Sequence, residues 1–252
     1  MSSLESGAAT VVGGGLEPLR RKNFETIWFF LEQLGEVRGK RVLEVGCERG
    51  WFLEAAQKRG GLTTGVEPGD CGPSTQAKGF DVLLGLFPDA TSSLPDASFD
   101  FIAFNDVFEH FPDPIRAVKE CERLINKDGY IVINLPVNSG VIYRMALLLM
   151  RFGVCLPFER LWQKGYASPH LFYFSPKSLD LMIARYSNFK QLSRHRLSSM
   201  TLTGLWPRIR ESYANPIIRS VIFMGCVTLT VFEKVFSPDI EFFVFERAKP
   251  KK

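Results

Sequence analysis

Apolar residues recur along this chain at two different spacings. From Leu16 to Leu34 they recur at helical intervals, with Phe24, Ile27, Trp28 and Leu31 on one face, which predicts a helix. From residue 40 onward, short unbroken apolar runs alternate with helical patterns. Strands are predicted at 40–45, 62–67, 80–84, 98–104 and 130–135, with helices at 50–59, 73–78 and 114–124 between them. Asp113 suits a helix cap and Pro114 the first helical position. This alternation of strands with helices predicts an α/β fold: a mostly parallel, doubly wound sheet with helices on both faces.

Beyond Pro136 the alternation stops. Residues 141–158 are apolar, carry Arg144 and Arg151, and show no strand pattern. Ser175-Pro176 opens a helix over 176–186, 189–196 reads as a sixth strand, 197–216 as loop, 217–236 as an apolar helix, and 240–247 alternates as a final strand. Residues 1–15, ending in Gly13-Gly14-Gly15, are expected to be a disordered lead-in, which leaves one domain over 16–252. Within it, 137–175 and 197–236 are expected to form an apolar helical lid over the mouth of the site. The uncharged run from Ser220 to Phe232 is 13 residues long, short of the ~20 that cross a bilayer. The two apolar runs are read as helices packing on each other, with contact to a membrane surface as the alternative.

Composition narrows the function classes. The net charge is +4, from 31 basic and 27 acidic residues, and no basic stripe with interleaved aromatics suggests nucleic acid. The tail Arg247–Lys252 reads as a solvated basic end. Five cysteines, Cys47, Cys71, Cys121, Cys155 and Cys226, are odd in number and contain no C-x-x-C pair, so neither zinc nor a disulfide framework is indicated. A reducing, cytoplasmic setting follows, and the N-terminus lacks the basic-then-apolar order of a leader.

The sharpest local signal is Val42-Leu43-Glu44-Val45-Gly46-Cys47-Glu48-Arg49-Gly50. A strand breaks at one glycine and a helix restarts at another, so a ligand can lie against bare backbone at a helix N-terminus. Glu67 ends the next strand, where a carboxylate suits the two hydroxyls of a ribose. The nucleoside so implied belongs to a dinucleotide or to S-adenosylmethionine. Glu48 stands between the glycines, so G-x-G-x-x-G is absent. Glu44, beside the turn, would repel a pyrophosphate and accept from an ammonium group.

Four segments together resemble the class I S-adenosylmethionine-dependent methyltransferases, in the small-molecule branch that includes the ubiquinone-biosynthesis O-methyltransferases and many bacterial glycan and natural-product enzymes. They are 42–50; Gly65-Val66-Glu67-Pro68; 94–114, with Asn105-Asp106-Val107-Phe108-Glu109-His110-Phe111-Pro112-Asp113-Pro114; and 124–136. The resemblance covers about residues 22–250. It departs from the family at Glu48, where a glycine is usual, and at Lys127-Asp128-Gly129, where Pro-Gly-Gly is common. The resemblance implies a Rossmann-like, seven-stranded sheet whose last strand is antiparallel and inserted beside the sixth. S-adenosylmethionine would be the cofactor. Glu44, Gly46, Cys47 and Gly50 would hold its methionine part, Glu67 its ribose, Leu86 and Phe87 would sit near adenine, and Asn105 and Asp106 would lie under the sulfonium. The Glu48 side chain is expected to point outward.

Methyl transfer to a hydroxyl is helped by a base, and histidine suits neutral pH. Of the three histidines, the resemblance puts His110 at the cofactor rim and His170, in a His-x-x-x-Phe element, on the acceptor side as base or orienting residue; His195 reads as surface. No Asp/His cluster suggests a metal. Aromatics in the lid segments (Tyr143, Phe152, Phe158, Trp162, Tyr166, Phe172, Trp206) suit an aromatic, prenylated, lipid-linked or glycan acceptor. The sequence leaves two other readings open: a nicotinamide dehydrogenase, which the absent fingerprint argues against, and a non-catalytic nucleoside-binding module that kept the fold.

Overall fold

The computed structural model describes residues 5–200, 205–212, 215–231 and 235–248. Its centre is a seven-stranded sheet in the order β3-β2-β1-β4-β5-β7-β6. The strands are β1 (Arg41–Val45), β2 (Leu62–Glu67), β3 (Asp81–Leu84), β4 (Phe99–Asn105), β5 (Ile125–Pro136), β6 (Phe189–Leu197) and β7 (Ile240–Arg247). β1 to β5 pair in parallel, and β7 runs antiparallel between β5 and β6. This is the sheet that the family resemblance implies.

The central strands are buried on both faces, and their alternation sorts side chains between two cores. Phe242 and Val244 of β7 face one way, Phe243 and Phe245 the other. Phe101 and Ala103 of β4 likewise oppose Ile102 and Phe104. The first core is closed by α1 (Glu5–Leu31) and α2 (Trp51–Lys58): Trp28 stacks on Phe52 at 4.9 Å and meets Phe101 edge-on. The second is closed by α4 (Pro114–Leu124) and α7 (Pro176–Tyr186), through Val118, Cys121, Leu179 and Ile183. Asp113 caps α4 by accepting from the Arg116 amide, and Ser175 caps α7 in a reciprocal box with Ser178.

Several boundaries differ from the sequence reading. α1 begins at Glu5, so the expected lead-in is helical from there; residues 1–4 lie outside the described residues. α3 spans Cys71–Gln76. β5 starts at Ile125, and the predicted turn at 126–129 is a bulge inside it, because Phe99 pairs with Ile125 and Phe101 with Tyr130. Residues 141–158 fold as α5 (Val141–Arg151) and the first half of α6 (Leu156–Leu161), and the expected loop after β6 contains α8 (Leu205–Ser212) before α9 (Pro216–Val231). Among the described residues, α5 packs chiefly on α6 and α9 chiefly on α8. Arg247 is held in the sheet, with Glu122 and Ile125 carbonyls as acceptors, not in a solvated tail.

Candidate functional site

The chain reverses its sheet order between β1 and β4, so their C-terminal ends open a crevice of the kind where such sheets bind ligands. After Val45 the backbone turns through Gly46 (φ +72°), Glu48 (φ +44°) and Gly50 (φ +78°). The Gly46 and Cys47 amides both donate to the Val66 carbonyl, at 2.8 and 3.1 Å, which ties the turn to β2. A Cβ on Gly46 would meet Val107 at 2.8 Å, so only glycine fits there. Gly50 faces elsewhere: a Cβ on it would meet Thr75 and Phe80. The Cys47 side chain is buried in a small core with Leu53 and Val82, where burial pushes its thiol pKa up. Cys47 nonetheless also lines the small cavity shared by Glu44, Gly46 and Asn105.

Acidic groups converge on the crevice. Glu67 uses both oxygens on backbone: Oε2 accepts from the Glu48 amide and Oε1 from the Gly69 amide, each at 2.8 Å. A carboxylate fixed in this way still has lone pairs for the hydroxyls of a ribose. Glu44 is buried at the end of β1, and Asn105 at the end of β4 donates to its Oε1 at 2.9 Å. Among the described residues, Glu44 Oε2 has no hydrogen-bond partner. Burial raises the Glu44 pKa well above the carboxylate range, opposed by Asn105 and Arg20. An ammonium group at Oε2 would satisfy the orphaned oxygen, so the residues here fit the amino-acid end of S-adenosylmethionine.

Arg20, from α1, enters the same place. It pairs with Glu48 and stands 4.0 Å from Asp106. Burial works against its charge, but Asp106, Glu48 and Glu44 outweigh it and raise its pKa. The Glu48 side chain therefore does not simply point outward: it lines the small cavity that Glu44, Gly46 and Asn105 share with Arg20. Asp106, at φ +53°, donates its amide to the Asn134 carbonyl, and burial raises its carboxyl pKa.

Two larger cavities flank this point. One, of about 400 Å³, is lined by Gly46, Val66, Pro68, Leu86 and Phe87. Phe87 is both wall and core, buried with its ring edge-on to Phe104 and Phe111. The other, of about 440 Å³, is lined by Leu19, Arg20, Asp106, Glu109, Ile142, Arg160, Leu161, His170 and Tyr173. His110 and Ser168 line both.

His110 Nδ1 lies 2.8 Å from the Pro169 carbonyl, so Nδ1 carries the proton and Nε2 is the basic nitrogen. The His170 ring meets His110 edge-on at 4.8 Å, and its Nε2 is 3.7 Å from Glu109 Oε1. Burial, with His110 beside it, pushes the His170 pKa down to about 4. Glu109 is buried too, and its pKa is raised well above the carboxylate range by burial and by Asp106. Donor atoms of Glu109, His110 and His170 all lie within 4.8 Å of one another. The sequence, where no metal cluster was visible, had not suggested that these three could share a proton or a cation.

The expected aromatic wall divides. Tyr143, Phe158, Trp162 and Tyr173 cluster together, with ring centroids of 4.5 Å for Tyr143–Tyr173 and 5.4 Å for Trp162–Tyr173. Phe152 and Tyr166 face solvent, and Trp206 packs edge-on against Phe223. His195 is not simply surface: its ring stacks on Phe30 and also packs on Phe242, which themselves touch. Arg20, Glu109 and Tyr173 were missed as site residues. Glu109 adjoins His110 in the motif already quoted, whereas nothing but the helical pattern marked Arg20.

A family model described as a methyltransferase domain matches residues 17–192. The ubiquinone biosynthesis O-methyltransferase of Klebsiella pneumoniae (strain 342) is 28% identical over 142 residues, covering 54% of this chain and 58% of that protein. The enzyme of the same name from Alkalilimnicola ehrlichii is 27% identical over 141 residues, covering 54% and 57%. The match thus spans less than two thirds of those relatives. Among solved structures, the geranyl diphosphate C-methyltransferase of Streptomyces coelicolor A3(2), in complex with Mg2+, geranyl diphosphate and S-adenosyl-L-homocysteine, superposes with a TM-score of 0.60 at 13% identity, covering 93% of this chain and 82% of that one. The magnesium protoporphyrin IX methyltransferase of Synechocystis PCC 6803 gives 0.59 at 10% identity, covering 94% and 87%. At these identities the likeness is one of fold.

Proposed function

Because this chain belongs to the methyltransferase-domain family and uses S-adenosylmethionine as methyl donor, we propose that it methylates a hydroxyl of a small aromatic, lipid-linked or glycan-linked acceptor, with His110 as general base. When bound, the cofactor supplies a methyl group already activated on a sulfonium, so positioning accounts for much of the rate. Glu44 and Asn105 receive the ammonium of its tail, Arg20 the carboxylate, Glu67 the ribose, and the cavity at Phe87 the adenine. The cavity beyond His110 takes the acceptor.

The observation that carries this reading is the position of His110 on both cavities with Nε2 as its basic nitrogen. A hydroxyl presented from the acceptor side can pass its proton there as its oxygen turns toward the donor. His170 suits the base role less well. Held near a pKa of about 4, it is neutral at pH 7 but accepts a proton weakly, and it faces Glu109. It packs against His110 and fixes that ring. The test is methyl transfer from labelled S-adenosylmethionine to a panel of phenols and lipid-linked sugars. We expect His110→Ala to lower turnover by roughly 10²–10⁴-fold while calorimetry shows cofactor affinity unchanged. Full turnover by that variant would remove His110 as base.

The outer surface supports an acceptor of lipid character. α5 exposes Met145, Leu148, Leu149 and Phe152, the i, i+3, i+4, i+7 positions of one stripe. Arg144 and Arg151 flank it, and no acid occurs from Asn138 to Phe158. Ile142 and Leu161, at the roots of α5 and α6, line the acceptor cavity. Among the described residues, no helix is long and apolar enough to cross a membrane. A cationic apolar stripe beside the cavity suits an anionic bilayer surface on which the helix lies flat. A second copy of the chain suits it less, since antiparallel α5 helices would bring arginine against arginine.

A further inference from the structure

We propose that Glu48 acts as an internal competitor of the cofactor: its carboxylate holds the guanidinium that the methionine carboxylate must take, and so sets the affinity for every ligand bearing that tail. The inference rests on the assignment of the crevice to S-adenosylmethionine.

Three observations lead to it. Glu48 occupies the position of the turn where the family usually has glycine, and it does so at φ +44°, a conformation that L residues rarely adopt. Its backbone is fixed: the amide donates to Glu67 Oε2 at 2.8 Å, and the carbonyl accepts from the Thr75 hydroxyl at 2.6 Å. Its side chain, the part left to move, pairs with Arg20. The cavity that Arg20 and Glu48 line with Glu44, Gly46 and Asn105 measures about 20 Å³. That is room for about one water molecule, not for an amino-acid tail.

Glu44 and Asn105 offer the ammonium its place at this cavity, so the carboxylate of the same tail arrives at Arg20. Arg20 already faces the Glu48, Asp106 and Glu44 carboxylates. A further anion is received there only as the Glu48 side chain swings off the guanidinium, because the turn beneath it is tied down. Glu44 is held by the Asn105 side chain, and Asp106, whose backbone amide is tied to the Asn134 carbonyl, stands farther off at 4.0 Å from the guanidinium. Each binding event thus exchanges one carboxylate for another at Arg20, and only the difference between the two pairings contributes to affinity.

The test is titration calorimetry of wild type, Glu48→Gln and Glu48→Gly with two probes. S-adenosylhomocysteine carries the amino-acid tail; 5′-methylthioadenosine has the same nucleoside and thioether without it. Glutamine keeps the bulk and removes the charge, and glycine tolerates the turn. Both variants are expected to bind S-adenosylhomocysteine about tenfold more tightly, with affinity for 5′-methylthioadenosine unchanged. Unchanged or weaker binding of S-adenosylhomocysteine by Glu48→Gln overturns the competition, even if Glu48→Gly gains, because the effect would then be steric. An equal gain for both probes overturns it as well, since the tail would not be involved. If none of the three proteins binds either probe, the cofactor assignment fails together with the inference.

Discussion

Asn105 at the end of β4 donates a hydrogen bond of 2.9 Å to Glu44 at the end of β1, and both side chains are buried. The bond joins the two strands at which the sheet changes direction and leaves one Glu44 oxygen without a partner among the described residues. Replacing Glu44 by Gln removes the acceptor charge. Loss of a hydrogen bond to a charged group costs about 1.5–3 kcal/mol, so affinity for S-adenosylmethionine should fall roughly 10- to 100-fold. Calorimetry measures this. The ligand-free variant should unfold at the same or a higher temperature, because a desolvated carboxylate is gone.

Glu67→Ala is expected to act twice. It withdraws the acceptor proposed for the ribose, and it frees the Glu48 and Gly69 amides that the carboxylate now holds. Affinity for both S-adenosylhomocysteine and adenosine should fall, and the melting temperature of the ligand-free protein should fall with it. Glu67→Gln keeps one acceptor oxygen and should recover much of the stability while binding remains weak.

His170 gives a pH dependence of stability. Its folded pKa is depressed to about 4, below an unfolded value near 6.5. Between the two the unfolded chain binds more protons, so the contribution of a neutral His170 is present above the unfolded pKa and lost as pH falls toward the folded one. Glu109, with its raised pKa, has the opposite slope: the folded chain holds its proton longer, and stability declines as pH rises. Wild type should therefore lose stability relative to His170→Gln on acidification from pH 7 to 4.5, by at most about 1.4 kcal/mol per pH unit. Relative to Glu109→Gln it should gain. Thermal denaturation of the three proteins across that range checks both signs.

The α5 stripe predicts sedimentation with vesicles. The protein should pellet with phosphatidylglycerol-containing vesicles, less so at high salt, and remain in the supernatant with phosphatidylcholine alone. Leu148→Ser with Phe152→Ser should abolish pelleting and leave S-adenosylhomocysteine binding intact. Equal pelleting by this double variant would remove α5 as the contact, and a dimer in sedimentation equilibrium that the variant dissolves would assign the stripe to a second copy.

How much of this was visible in the chain depends on distance along it. The glycine turn, Glu44 and Glu67 lie within one βαβ unit, and local pattern was enough to find them. β7 was legible because Ile240 to Arg247 alternates, although its insertion beside β6 came from the family resemblance. Arg20 was not legible as a site residue: its partner Glu48 is 28 positions away, and its helix advertised only an apolar face. The grouping of His110 with His170 depends on a contact spanning 59 positions, from His110 to the Pro169 carbonyl. α8 escaped notice because its eight residues include a proline and three charges, against which the apolar pair Leu205 and Ile209 is too short a pattern to stand out. α1 reaches back to Glu5 through four glycines, Gly7 and Gly13 to Gly15, which local propensity opposes.

The Glu109 carbonyl accepts from both the Leu171 and Phe172 amides, at 2.9 and 3.1 Å. The segment above the acceptor cavity is thereby spliced to the loop that follows β4, and Ser168 and His110 form a partition common to both chambers. Such a partition cannot be moved from one side alone. On the proposed assignment of the two cavities, a change of acceptor requires compensating changes beside the donor, so selectivity for the acceptor and grip on the donor are inherited as a linked trait.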